Sequence, residues 1–187
     1  MSNTTATNHG LNSLGQNHYS DALRATIRHT AGIAYMHDRA QITDPDLLAG
    51  LMNSRRGMGY LALEYMGVVE DIWNALEPCY PKKIKNVTVH LDKPWDVSSP
   101  LTQEFLFLTQ GIYADSKSDQ IGTEHLLQAF LSCSDSTLSY KILSQCGVTA
   151  PGVRGCIRAY CTTPPIAAEL LLKPIESTIP RPPFPAL

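Results

Sequence analysis

Apolar residues recur along this chain in short regular stripes, and the spacing predicts helices rather than strands. The clearest run is Gln120 to Leu131, where Leu126, Leu127, Phe130 and Leu131 fall at the i, i+1, i+4, i+5 positions of one buried helical face. Ahead of the stripe, Gly122 lets the chain turn in, Thr123 is placed to cap the helix, and Glu124 meets the positive end of the helix dipole. An earlier helix is predicted from a Ser20 cap through Leu23, Ile27, Ala31 and Ala34 to about Met36. After the polar His37-Asp38-Arg39, the run Asp44-Pro45-Asp46 opens a second helix, with Asp44 as its cap and Leu47, Leu48 and Leu51 as its stripe. A loop over 53–57 leads to a third helix from about Met58 to Met66, stopped by a left-handed Gly67. A short fourth helix over 68–76 carries Trp73.

The same order then returns at a constant offset of 79 residues. Ser20 falls on Ser99, Ile27 on Leu106, Thr30 on Thr109, Gly32 on Gly111, Ile42 on Ile121 and Leu47 on Leu126. After one inserted residue, Tyr60 falls on Tyr140, Leu63 on Leu143 and Gly67 on Gly147. Matches at cap, stripe and stop with one gap predict a tandem repeat whose two units bury their stripes against each other in one compact all-α body. The predicted organisation is a flexible leader over 1–18, a first repeat over 19–77, a linker over 78–98, a second repeat over 99–160 and a proline-rich tail over 161–187. In the linker, Val87, Val89 and Leu91 alternate with polar residues, the pattern of one short strand, a brief hairpin or an extended segment.

Composition narrows the function. Of 187 residues, 43% are apolar and 17% charged, the balance of a globule that can bury a core. A formal net charge of −2, with no basic run longer than Lys82-Lys83, gives no electrostatic footprint for nucleic acid. No apolar stretch reaches the roughly 20 residues that span a bilayer, and the polar N-terminus lacks the apolar core of a signal peptide. The expected location is the cytoplasm, or the plastid stroma in a plastid-bearing source. Five cysteines without a Cys-x-x-Cys pair are expected to be reduced thiols.

The run Ile121-Gly122-Thr123-Glu124-His125-Leu126-Leu127, preceded by Ser99-Pro100 and followed by Gly147-Val148, resembles the repeat of the Clp amino-terminal domain. That resemblance covers residues 19–160. It implies two tandem repeats of about four helices related by a pseudo-twofold axis, forming a body that docks substrates or adaptor proteins for a Clp unfoldase. The first repeat departs from the pattern: Thr43-Asp44-Pro45-Asp46 stands where the second has Gly-Thr-Glu-His, so the glutamate and the histidine are lost. No lysine follows a glycine anywhere, so the chain has no P-loop.

Glu124 is the leading site candidate. In some members of the family the resemblance points to, the equivalent glutamates receive the guanidinium of a phosphorylated arginine, and a hydroxyl near the start of the repeat's first helix helps to hold the phosphate. Here Glu124 and Ser99 remain in the second repeat, while Pro45 replaces the glutamate in the first, leaving at most one such pocket. The plain alternative is that Glu124 complements the helix dipole and Thr123 caps. His125 is read as a helix-end hydrogen-bonding residue, and no histidine shows metal-ligand spacing. Neither a Ser/His/Asp nor a Cys/His set is identifiable, and no metal or other cofactor is expected. The expectation is a non-enzymatic protein-binding module acting as adaptor or accessory subunit of an ATP-dependent Clp protease. The alternative is a stand-alone peptide or phosphoarginine sensor, with a small enzyme in third place.

Overall fold

The computed structural model describes residues 18–80, 99–116, 118–133 and 137–162. Ser20 opens the first helix as its sequence predicts: the hydroxyl accepts the Leu23 N–H at 3.2 Å, and α1 runs Asp21–Met36. Ser99 does the same for Thr102 at 3.2 Å, opening a helix over Pro100–Ala114. In chain order the remaining elements are α2 (Asp44–Asn53), α3 (Met58–Tyr65), α4 (Val69–Leu76) and a single 3-10 turn (Glu77–Cys79). The helix Pro100–Ala114 is α5, followed by α6 (Thr123–Ser132), α7 (Leu138–Gln145) and α8 (Ala150–Thr162). Among the described residues the chain is therefore all-α, with one isolated parallel bridge between Tyr19 and Ile121. Both α3 and α7 stop at a left-handed glycine, Gly67 at φ 72° and Gly147 at φ 75°.

Two cap assignments are corrected. The residue that caps α2 is Thr43, not Asp44, and the residue that caps α6 is Gly122, not Thr123. The reason is competition: each displaced side chain serves another helix. Asp44 Oδ2 accepts the Ser139 N–H of α7 at 2.9 Å, and Thr123 Oγ1 accepts the Gly59 N–H of α3 at 2.9 Å. Helix α8 also continues to Thr162, past the predicted boundary at 160. The alternating segment over 87–91 in the linker, residues 1–17 of the leader and the tail beyond 162 lie outside the described residues.

Leu23, Leu47, Leu48, Leu63, Phe105, Leu126, Phe130 and Leu143 are fully or almost fully buried and belong to one continuous apolar core drawn from both halves of the chain. Burying each such side chain stabilises the fold by about 1.5–3 kcal/mol. Phe105 of α5 meets Phe130 of α6 with ring centroids 4.8 Å apart. Helices α1 and α2 approach so closely that a Cβ on Gly50 would lie 2.0 Å from Thr30 Oγ1. The halves are also joined crosswise by backbone bonds: the Ser20 N–H donates to Ile121 O at 3.0 Å, and the Ser99 N–H to Ile42 O at 2.9 Å.

Candidate functional site

The start of α6 is where the chain's polar chemistry gathers. Gly122 is extended at φ −107°, ψ 176°, and its N–H donates to Nδ1 of His125, three residues on, at 2.9 Å. That is the return half of a capping box, made by an imidazole in place of the usual carboxylate or amide. An Nδ1 that accepts must carry its lone pair, so the ring is neutral with its hydrogen on Nε2, which lies 3.2 Å from Ser116 Oγ. The Tyr113 ring stands edge-on to the imidazole at 5.7 Å. Burial pushes His125 below the ordinary histidine value, and the neighbouring Glu124 carboxylate offsets part of that shift.

Thr123 is equally committed. Its hydroxyl seats the α3 start, and the fit explains the glycines there: a Cβ on Gly57 would lie 2.5 Å from Thr123 Oγ1, and one on Gly59 would lie 2.6 Å from the Thr123 carbonyl oxygen. Glu124 differs from both. Its side chain keeps 20% of its surface exposed, and its carboxylate folds back over Gly122, where a Cβ would come within 2.2 Å of Oε2. A flexible acid at a helix start can accept a planar cation or a donor from outside.

Of the four residues singled out by sequence, Thr123, Glu124 and His125 therefore share one helix mouth. Ser99 is joined elsewhere: its N–H binds Ile42, the residue ahead of the α2 cap, and Thr102 Oγ1 donates to the same carbonyl at 3.0 Å. The serine that reaches the α6 mouth is Ser20, which pattern reading treats only as a cap.

The α2 mouth has the same backbone but other chemistry. Asp46, fully buried, accepts the Thr43 N–H at 2.9 Å and the Thr43 hydroxyl at 2.7 Å. Its other oxygen pairs with Arg39, whose guanidinium also donates to the Cys79 carbonyl and lies 5.0 Å from the Tyr80 ring centroid. Burial, with the Asp46 carboxylate adding to it, pushes the Tyr80 phenol far up, and Arg39 only partly opposes this. In the sequence Arg39 belongs to a polar loop, and nothing local tells it which acid it will meet.

Among the described residues no group of three or more His, Cys, Asp or Glu side chains could hold a metal ion. Burial raises the thiols of Cys79 and Cys146, and pushes Cys133 up to about 11, so these three are poor nucleophiles. No described helix is long and apolar enough to cross a membrane.

No protein-family model and no curated protein matches the chain. Nineteen chains of solved structures do. One comes from preliminary structural investigations of a malarial protein secretion system, with a TM-score of 0.58 and 15% sequence identity. The match covers 76% of this chain and 93% of that one. At that identity the likeness is one of fold.

Proposed function

We propose that this chain is a Clp amino-terminal-type module of two pseudo-twofold repeats that binds proteins without catalysing a reaction, as adaptor or accessory subunit of a Clp protease or unfoldase. The observation that carries the binding role is Glu124. Its neighbours Thr123 and His125 are buried and used by the fold, whereas this carboxylate stays partly exposed at the helix mouth.

The repeat architecture draws support from bonds that map onto one another. Shifted by the offset of 79, the Ser20 to Ile121 bond matches the bond between Ser99 and Ile42 with the halves exchanged. The Asp46 to Thr43 cap likewise matches His125 to Gly122, and Thr123 matches Asp44 in seating the start of the other half's third helix. Crossed reciprocity of this kind is what a pseudo-twofold axis generates.

Capture from native lysate tests the proposal, with the intact protein and Glu124→Gln as parallel baits and mass spectrometry as readout. Clp subunits retained by the intact chain and depleted with the variant are the expected result. If neither bait retains a Clp component, the adaptor role fails. A phosphoarginine-type ligand would meet Glu124 with the Ser20 segment rather than Ser99, and titration with a phosphoarginine peptide against its unmodified form separates that alternative.

A further inference from the structure

Both ring nitrogens of His125 are engaged in a way that suits only the neutral imidazole. Nδ1 accepts from Gly122 at 2.9 Å, and the acceptor already beside it is Glu124 Oε1, 3.3 Å away. Gly122 follows directly on Ile121, and Ile121 holds the segment leading into α1: its N–H donates to His18 O at 2.8 Å, and its carbonyl accepts from Ser20 at 3.0 Å. A change at the imidazole therefore acts next to the point where the 18–20 segment is pinned to the opposite half.

We infer that the α6 mouth is a proton switch, in which protonated His125 donates Nδ1–H to Glu124, releases the Gly122 N–H and loosens the 18–20 segment from Ile121. The exchange is balanced in bonds: the ring loses one backbone donor and gains one charge-assisted acceptor. Gly122 is left without a partner, and the Glu124 carboxylate is drawn inward from its exposed position. The α2 mouth contains no such device, because its cap acceptor is the Asp46 carboxylate, already paired with Arg39. The inference does not depend on any Clp partner.

The groups around the ring are few. Glu124 stands beside it on α6, Tyr113 faces it from α5, and Ser116 faces it from the loop between them. Helices α1, α3, α7 and α8 also pack on α6 and bring no charged side chain to bear on the ring among the described residues. Because the folded ring is held below the ordinary value, the stability it supports is intact above the unfolded value of roughly 6.5 and declines as pH falls beneath it. The unfolding constant then rises by up to about tenfold per pH unit until the folded ring itself titrates. His29, also lowered by burial and by Arg28, adds to any global effect, so the test must be local.

Amide hydrogen exchange of the intact chain, corrected for intrinsic rates, provides it. Between about pH 7.5 and about pH 5.5, the range in which histidines change charge, protection at Gly122, Ile121 and Ser20 is expected to fall by up to about tenfold. Protection at Thr43 and Ser99 is expected to hold. His125→Asn, whose amide oxygen can still accept from Gly122, should abolish the pH dependence at the α6 mouth. Glu124→Gln removes the negative charge that favours the protonated ring and should move the opening to lower pH, which keeps the test decisive if the asparagine variant does not fold. Equal loss at both mouths, the same pH dependence in His125→Asn, or no downward shift in Glu124→Gln would each overturn the switch.

Discussion

Helices α2 and α6 begin with the same backbone task and solve it with opposite chemistry. In each, the residue three past the cap returns a side-chain acceptor to the cap N–H at 2.9 Å. At α2 that acceptor is a fully buried carboxylate pinned by Arg39, with Pro45 in the first turn; at α6 it is a neutral imidazole, with Glu124 in the position that proline takes. The first mouth is a closed ionic lock that also ties down Cys79 and Tyr80 at the end of the first half. The second keeps one acid partly in solvent. A helix start can thus be kept as structure or left open as a contact point without altering the backbone, and the choice shows in a few side chains.

The lock should carry the largest energetic difference. Asp46→Ala strands the Arg39 guanidinium and orphans the Thr43 N–H, and is expected to cost about 3–5 kcal/mol in urea unfolding. Arg39→Ala should cost about as much, because it leaves the fully buried Asp46 carboxylate without its counter-charge. His125→Ala, which removes a neutral cap and a buried ring, should cost about 2 kcal/mol. Equal losses at the two mouths would dissolve the distinction between lock and open site.

The seats that join the halves come next. Thr123→Val keeps the shape but takes the acceptor from Gly59, with an expected cost of about 1–3 kcal/mol. Gly59→Ala drives a Cβ against the Thr123 backbone, where no side chain can swing away, and should cost a similar amount, about 1–3 kcal/mol. At the matching seat, Asp44→Asn retains an oxygen for Ser139 and loses only the charge facing the helix start, about 0.5–1 kcal/mol. An Asp44 variant that proves worse than Thr123→Val would show that the first half depends more on its seat than the second.

Smaller still, and equal on both sides, should be the helix stops. Gly67 and Gly147 are left-handed with open space around the missing Cβ, so strain is the whole cost of a substitution. Alanine at either position should lower stability by about 1 kcal/mol in thermal melts. A twofold difference between them would place a neighbour at one stop that the other lacks.

The parts of this molecule that announce themselves in sequence are those decided within one or two helical turns. Ser20, Ser99, Gly67 and Gly147 act as their residue types predict, and the stripe of Leu126, Leu127 and Phe130 is buried. The misassigned caps, Asp44 and Thr123, show the limit. A hydroxyl or carboxylate at a helix start can bond its own helix or another one, and the winner depends on which backbone N–H the fold delivers. Arg39 meeting Asp46, and Ser20 crossing to Ile121, are likewise products of tertiary packing that leave no local pattern. The candidate site was legible as a stretch, but not in its division of labour, with two residues serving the fold and one facing solvent.

The finest distinction between the halves lies at the second residue of α3 and of α7, where alanine should act in opposite ways. Ser139 gives its backbone N–H to Asp44, while its own hydroxyl is fully buried and has no hydrogen-bond partner among the described residues. A buried hydroxyl without a partner has lost its water contacts and gained nothing in return, so deleting it removes a desolvation penalty together with a little packing. Alanine is also the better helix former. Ser139→Ala should therefore stay within about 0.5 kcal/mol of the parent, on the stabilising side, whereas Gly59→Ala at the equivalent place on α3 is damaging. The contrast separates two ways of seating a helix, one by close approach of backbones and one by a carboxylate that keeps its distance. If Ser139→Ala instead costs more than about 1.5 kcal/mol, the hydroxyl is bonded after all, and the α7 seat depends on it as well as on Asp44.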